Sequence, residues 1–228
     1  MTQSESGRAN ALSTATRTLL RGGLAAGPLY LTVGAAQAVT RDGFDMRRHA
    51  LSLLSNGDHG WIQIANFLVT GALVIAGSVG VRRRLASGKG ATWAAVLLAL
   101  YGIGLIGAGI FIADPGQGFP PGVPVDHDGM SRAGVLHFVF GAVGFYALIA
   151  ACLVFARRFW TQGNRAWATY STVSGLGFLA SFGAIASGST SSAVMLSFYA
   201  AVAWIWIWHA ALSAHLMRPQ GSERFFLT

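Results

Sequence analysis

Asp45, Arg48, His49 and Ser52 stand at i, i+3, i+4 and i+7, a spacing that gathers four polar side chains on one face of a short helix. A carboxylate beside an imidazole can move a proton, hold a metal ion or grip a polar head group. Gln63, Asn66 and Thr70 follow at i, i+3 and i+7 and form a second polar stripe. Amides of this kind are costly against lipid, so the stripe is expected to face inward, either as bonds between helices or as the wall of a cavity. Asp114 stands just before a Pro- and Gly-rich segment, and His137 lies beyond it inside an apolar run. These residues, Asp45, His49, Ser52, Gln63, Asn66, Asp114 and His137, are the candidates for one ligand-binding cavity. Zinc is the metal whose ligand types are present, with His49, His127 and His137 as candidates. No His-x-x-x-His or Cys-x-x-Cys pair occurs, however, so a zinc site would have to be assembled from separate loops and no resident cofactor is expected. Haem fits worse, because His137 and His209 would differ in depth by ~16 Å at helical rise.

The elements that must position these groups are six apolar stretches, Gly22–Val39, Trp61–Val81, Ala91–Ile112, Ala133–Ala156, Ala166–Ser187 and Ala193–Met217. Spanning a hydrocarbon core takes about 20 helical residues. With 53% hydrophobic and only 11% charged residues, the composition points the same way. The expected fold is all-α, a polytopic transmembrane bundle of six helices, with a short amphipathic helix over Phe44–Leu54 in the first outer loop. Residues 1–21 read as a disordered cytoplasmic tail, 22–217 as the transmembrane domain and 218–228 as a second cytoplasmic tail. Orientation follows from the basic residues. Of the 16 Lys and Arg, only Arg41, Arg47, Arg48 and Arg132 fall on the side that carries every Asp. The positive-inside rule then puts both termini in the cytoplasm of a multi-pass protein of the cell membrane. The net charge of +8 accordingly faces anionic lipid heads, and no aromatic-basic module suggests nucleic acid.

Two details of the apolar runs bear on packing. Ala36-Gln37-Ala38 has the small-x-small pattern of a signal-peptidase site, whereas Gly23-x-x-x-Gly27 reads as a helix-packing face, which a discarded peptide would not need. Gly102, Gly104, Gly107 and Gly109, together with the pairs Ser171/Gly175 and Gly177/Ser181, predict close helix contacts, and Cys152 reads as a small packing residue.

The order of these features resembles the bacterial and archaeal membrane proteins grouped as domain of unknown function 998. Carrying the likeness are Arg21-Gly22, Gly43-Phe44-Asp45, His49 with Ser52 and Leu54, Gly60-Trp61, Asp114-Pro115 and His137, from about Arg21 to Arg218. Ala50 stands where the family pattern has Pro after the His. The resemblance implies a six-helix integral membrane protein and carries no established activity.

The residues leave three functional readings open. The first is a binding protein whose outer-side cavity takes a lipid head group or small polar molecule, with membrane lipids as partners. The second is a membrane-embedded hydrolase or transferase acting on outer-leaflet lipid, metal-dependent or not, with His49 or His137 as base and Asp45 or Asp114 orienting it. The third is a structural partner subunit. Mid-span charges of the kind that serve ion or proton pathways are absent from the sequence.

Overall fold

The computed structural model describes residues 12–88, 90–125 and 129–218. Six α-helices account for most of them: α1 Thr14–Thr40, α2 Gly60–Leu85, α3 Ala91–Ile110, α4 Arg132–Thr161, α5 Arg165–Ala186 and α6 Ser192–Met217. Four of these, α2, α3, α4 and α6, are long and apolar enough to cross a membrane. α1 is long enough but opens with Arg17 and Arg21, and α5 is diluted by Ser171, Thr172, Ser174 and Ser181. Each helix packs against the next in sequence, and α6 closes the ring against α1.

The first helix starts earlier than the apolar run. Ser13 caps it by accepting a hydrogen bond from the Thr16 amide, so residues 14–21, expected in the tail, are helical. Capping satisfies an amide that the helix leaves open, and hydropathy does not register that gain.

Small residues let the ring close tightly. A Cβ on Gly71 would lie 2.6 Å from the Gly102 carbonyl oxygen, and one on Gly102 would lie 2.7 Å from that of Gly71. Gly104 meets Gly144 in the same way at 2.7 Å, and Gly77 meets Gly23 at 2.8 Å, so α1/α2, α2/α3 and α3/α4 all touch backbone to backbone. Gly175 packs on the Cys152 Cβ, and Ser171 accepts a hydrogen bond from the Trp208 indole. Gly177 does not pack. A Cβ there would meet nothing within 4 Å, because α5 turns only one of its two small-residue faces to a neighbour.

The loop between α1 and α2 also differs from its sequence reading. A turn at 46–48 and a five-residue 3-10 helix, Leu51–Ser55, replace the helix expected over Phe44–Leu54. Local polar bonds end it: the Asp45 carboxylate takes the Arg47 amide at 2.8 Å, His49 Nδ1 takes the Asp45 amide at 2.9 Å, and Ala50 is extended.

Candidate functional site

A cavity of about 510 Å³ opens inside the ring, at the end of the bundle that carries the C-termini of α1, α3 and α5. Ala50, Leu51 and Ser52 roof it, and the facing halves of α3, α4, α5 and α6 form its walls. Aromatic side chains dominate the lining, among them Phe67, Phe145, Phe178, Phe198 and Trp206. Phe138 and Tyr146 line it while remaining 62% and 55% exposed on the outside of the bundle. Gly141 lies between them on α4, where a Cβ would meet nothing within 4 Å. Tyr146 faces Phe182 of α5 with ring centroids 5.6 Å apart. The cavity is therefore open sideways between α4 and α5, toward the surface that lipid covers. Further along the same pair, the contact of Gly175 with Cys152 shuts the gap.

His137 enters this cavity in a fixed orientation. Its Nδ1 lies 3.0 Å from the Ala108 carbonyl oxygen and 2.9 Å from that of Phe111. Two carbonyl oxygens require Nδ1 to carry the proton, which leaves the Nε2 lone pair as the free acceptor. The same contact supplies a donor to the carbonyls that α3 leaves open at its C-terminal end. His137 is thus both a helix cap and a polar point on the cavity wall.

Of the seven expected site residues, the structure brings Ser52 and His137 to this cavity and spends the other five on contacts around it. His49 is a bracket. Besides taking the Asp45 amide, its Nε2 donates to the Gln117 carbonyl oxygen at 3.0 Å, and its own carbonyl accepts from the Tyr199 hydroxyl at 2.6 Å. Both ring nitrogens are committed, and the side chain is buried beside Phe44 and Phe119. Asp45 itself is exposed and holds the turn. Asp114 accepts hydrogen bonds from the amide and hydroxyl of Ser131, the N-cap of α4, where the positive end of the helix dipole favours a negative charge.

Gln63 and Asn66 join α2 to α1. Gln37 Nε2 donates to Gln63 Oε1 at 2.8 Å, and Asn66 Nδ2 donates to the Tyr30 carbonyl oxygen at 3.2 Å. Thr70 then donates to Asn66 Oδ1 at 3.3 Å. All four side chains are buried, so the stripe serves as interhelical bonding. Among the described residues no group of three or more His, Cys, Asp or Glu could hold a metal ion. Asp126, His127 and Asp128 lie outside the described residues.

Sequence reasoning passed over Tyr30, Tyr101 and Tyr199, which line the cavity. A signal was present for the first two. Both fall near the middle of an apolar run, about 14–15 Å from the C-terminal end of their helix at helical rise, whereas Tyr usually sits at the interface.

A family model described as "Protein of unknown function (DUF998)" matches residues 24–215. The chain belongs to this family. The match runs from α1 through α6, so the whole ring of this DUF998 protein, cavity included, lies within the shared region. No curated protein and no solved structure matches the chain.

Proposed function

We propose that this protein spans the cell membrane six times, with both termini in the cytoplasm, and binds a membrane lipid taken from the outer leaflet into its aromatic cavity. The observation that carries the reading is the side opening between α4 and α5, where Phe138 and Tyr146 belong at once to the cavity lining and to the outer surface. A water-borne ligand has no need of such an entrance. The volume suits a single ring system or chain, since pockets for drug-sized ligands run about 300–1,000 Å³. His137 Nε2 makes no hydrogen bond among the described residues and is a polar point on the wall beside that ligand.

Orientation is supported by charge. Arg82, Arg83 and Arg84 close α2, Arg158 lies in the last turn of α4, and Arg84 bonds the Leu216 and Arg218 carbonyls at the end of α6. Basic residues thus gather at the end opposite the cavity, as expected of a cytoplasmic face. Among the described residues no hydroxyl is hydrogen-bonded to His137, so binding is better supported than nucleophilic catalysis.

The test is native mass spectrometry of the protein released from nanodiscs of bacterial lipid. Wild type should carry a bound lipid, and Ala142→Trp, which fills the cavity from α4, should lose it while keeping its melting temperature. Equal lipid retention by the two proteins would overturn the reading.

A further inference from the structure

The cavity contains polar groups that its aromatic walls do not explain. Tyr30 and Tyr101 are 8% and 3% exposed, and neither hydroxyl has a hydrogen-bond partner among the described residues. Neither oxygen is among the fully enclosed unpartnered atoms, and both side chains line the cavity. The hydroxyls are therefore reachable from within it. The two rings flank Trp206, with centroids 5.3 Å and 5.4 Å from the indole. At about 14–15 Å below the outer end of their helices, these groups sit near the middle of a bilayer, where bulk water is absent. Leaving a buried donor unpaired is costly, so two such donors in one place call for an acceptor.

A saturated acyl chain cannot supply one. It would lay hydrocarbon against two phenol hydroxyls and leave the cost in place. A phosphate or sugar head group supplies acceptors but meets walls of Phe67, Phe178 and Phe198, which cannot solvate its charge or its remaining hydroxyls. The ligand that satisfies both features is a flat, uncharged ring bearing carbonyl oxygen, able to stack on aromatic faces and accept from the two phenols.

We infer that, within the lipid-binding reading on which this rests, the cavity takes the head of a membrane quinone. The ring enters first, a carbonyl oxygen accepts from Tyr30 and Tyr101, and the isoprenoid tail leaves between α4 and α5 past Phe138 and Tyr146. No electron transfer is part of the assignment.

The experiment uses the full-length protein in nanodiscs and two probes, an isoprenoid quinone and squalene, an isoprenoid hydrocarbon without oxygen. Binding is read from quenching of tryptophan fluorescence for the quinone and from native mass spectrometry for both. Wild type should bind the quinone at least about tenfold more tightly than squalene. The double variant Tyr30→Phe/Tyr101→Phe, which keeps both rings and removes only the oxygens, should lose that margin with squalene binding unchanged. Equal affinity of wild type for the two probes would overturn the quinone assignment and leave lipid binding standing, without depending on how any variant folds. The quinone assignment also falls if the double variant binds quinone as wild type does, the hydroxyls then being merely hydrated. Absence of binding by both probes, together with no lipid retained by wild type, would overturn both readings.

Discussion

His49 and His137 show how the same residue type is put to different uses by its partners. His49 has both ring nitrogens engaged by backbone, Asp45 on one side and Gln117 on the other, so it ties the α1–α2 loop to the α3–α4 loop. Replacing it by Ala should free both loops. His49→Ala is expected to raise the rate of protease cleavage within 40–60 and 113–125 in intact proteoliposomes, with lipid retention lowered only as far as the roof formed by Leu51 and Ser52 loosens; an unchanged cleavage pattern would refute the bracket role. His137 has one nitrogen engaged and one facing the cavity. His137→Asn keeps a donor for the α3 carbonyls but changes the shape and polarity of the cavity wall at this point. It should therefore preserve the melting temperature and weaken lipid retention severalfold, whereas loss of both together would mark the residue as a cap alone. Asn66 belongs to neither class. Its amide bridges the Tyr30 carbonyl and the Thr70 hydroxyl in a buried contact, and Asn66→Ala should destabilise the bundle by about 1–2 kcal/mol, measured as a lower melting temperature in detergent.

At the scale of elements, glycines decide which helix faces meet. The α2/α3 seam depends on the reciprocal approach of Gly71 and Gly102, each to the other's carbonyl, and the α3/α4 seam on Gly104 against Gly144. Backbone cannot yield as a flexible side chain can. Gly71→Leu and Gly104→Leu should each cost ~3 kcal/mol or more, toward and beyond the upper end of ordinary overpacking, and should abolish a monodisperse peak in size-exclusion chromatography. Gly177→Leu, on the open face of α5, should leave both peak and melting temperature unchanged. Similar behaviour of all three variants would mean that the seams are placed wrongly. A common motif, small residues one turn apart, therefore has opposite consequences on α3 and α5 because only one of them is covered on that side.

Taken as a whole molecule, the ring has a basic end and a cavity end. Ser87 is exposed in the turn between α2 and α3, and Val125 is 58% exposed beyond the other end of α3. Single cysteines at these positions in a Cys152→Ala background report orientation without touching a packed residue. An impermeant thiol reagent applied to intact cells should label Val125→Cys and spare Ser87→Cys, and the reverse pattern would turn the protein over. Cys152 must be removed as a control even though it is fully buried.

Helix number, the side on which the basic residues gather and family membership were legible from residue order alone, because hydrophobic run length and charge position are one-dimensional quantities. So was the need of His137 for partners, since an imidazole a short way inside an apolar run must find them, here the Ala108 and Phe111 carbonyls. The sequence also marked Gln63 and Asn66 as inward-facing, yet whether an inward amide meets another amide or an empty space depends on what the neighbouring helix presents at that height. Gln37 of α1 is at the height of Gln63, so the stripe became a seam instead of a cavity wall. Helical periodicity put Asp45 and His49 on one face, and the structure spends them on a turn because side-chain bonds to the local backbone compete with the helix. The cavity itself was invisible in sequence. Its walls come from halves of α3, α4, α5 and α6 that are far apart in the chain, and only closure of the ring, with α4 and α5 parting above Gly175 and Cys152, leaves room among their aromatic side chains.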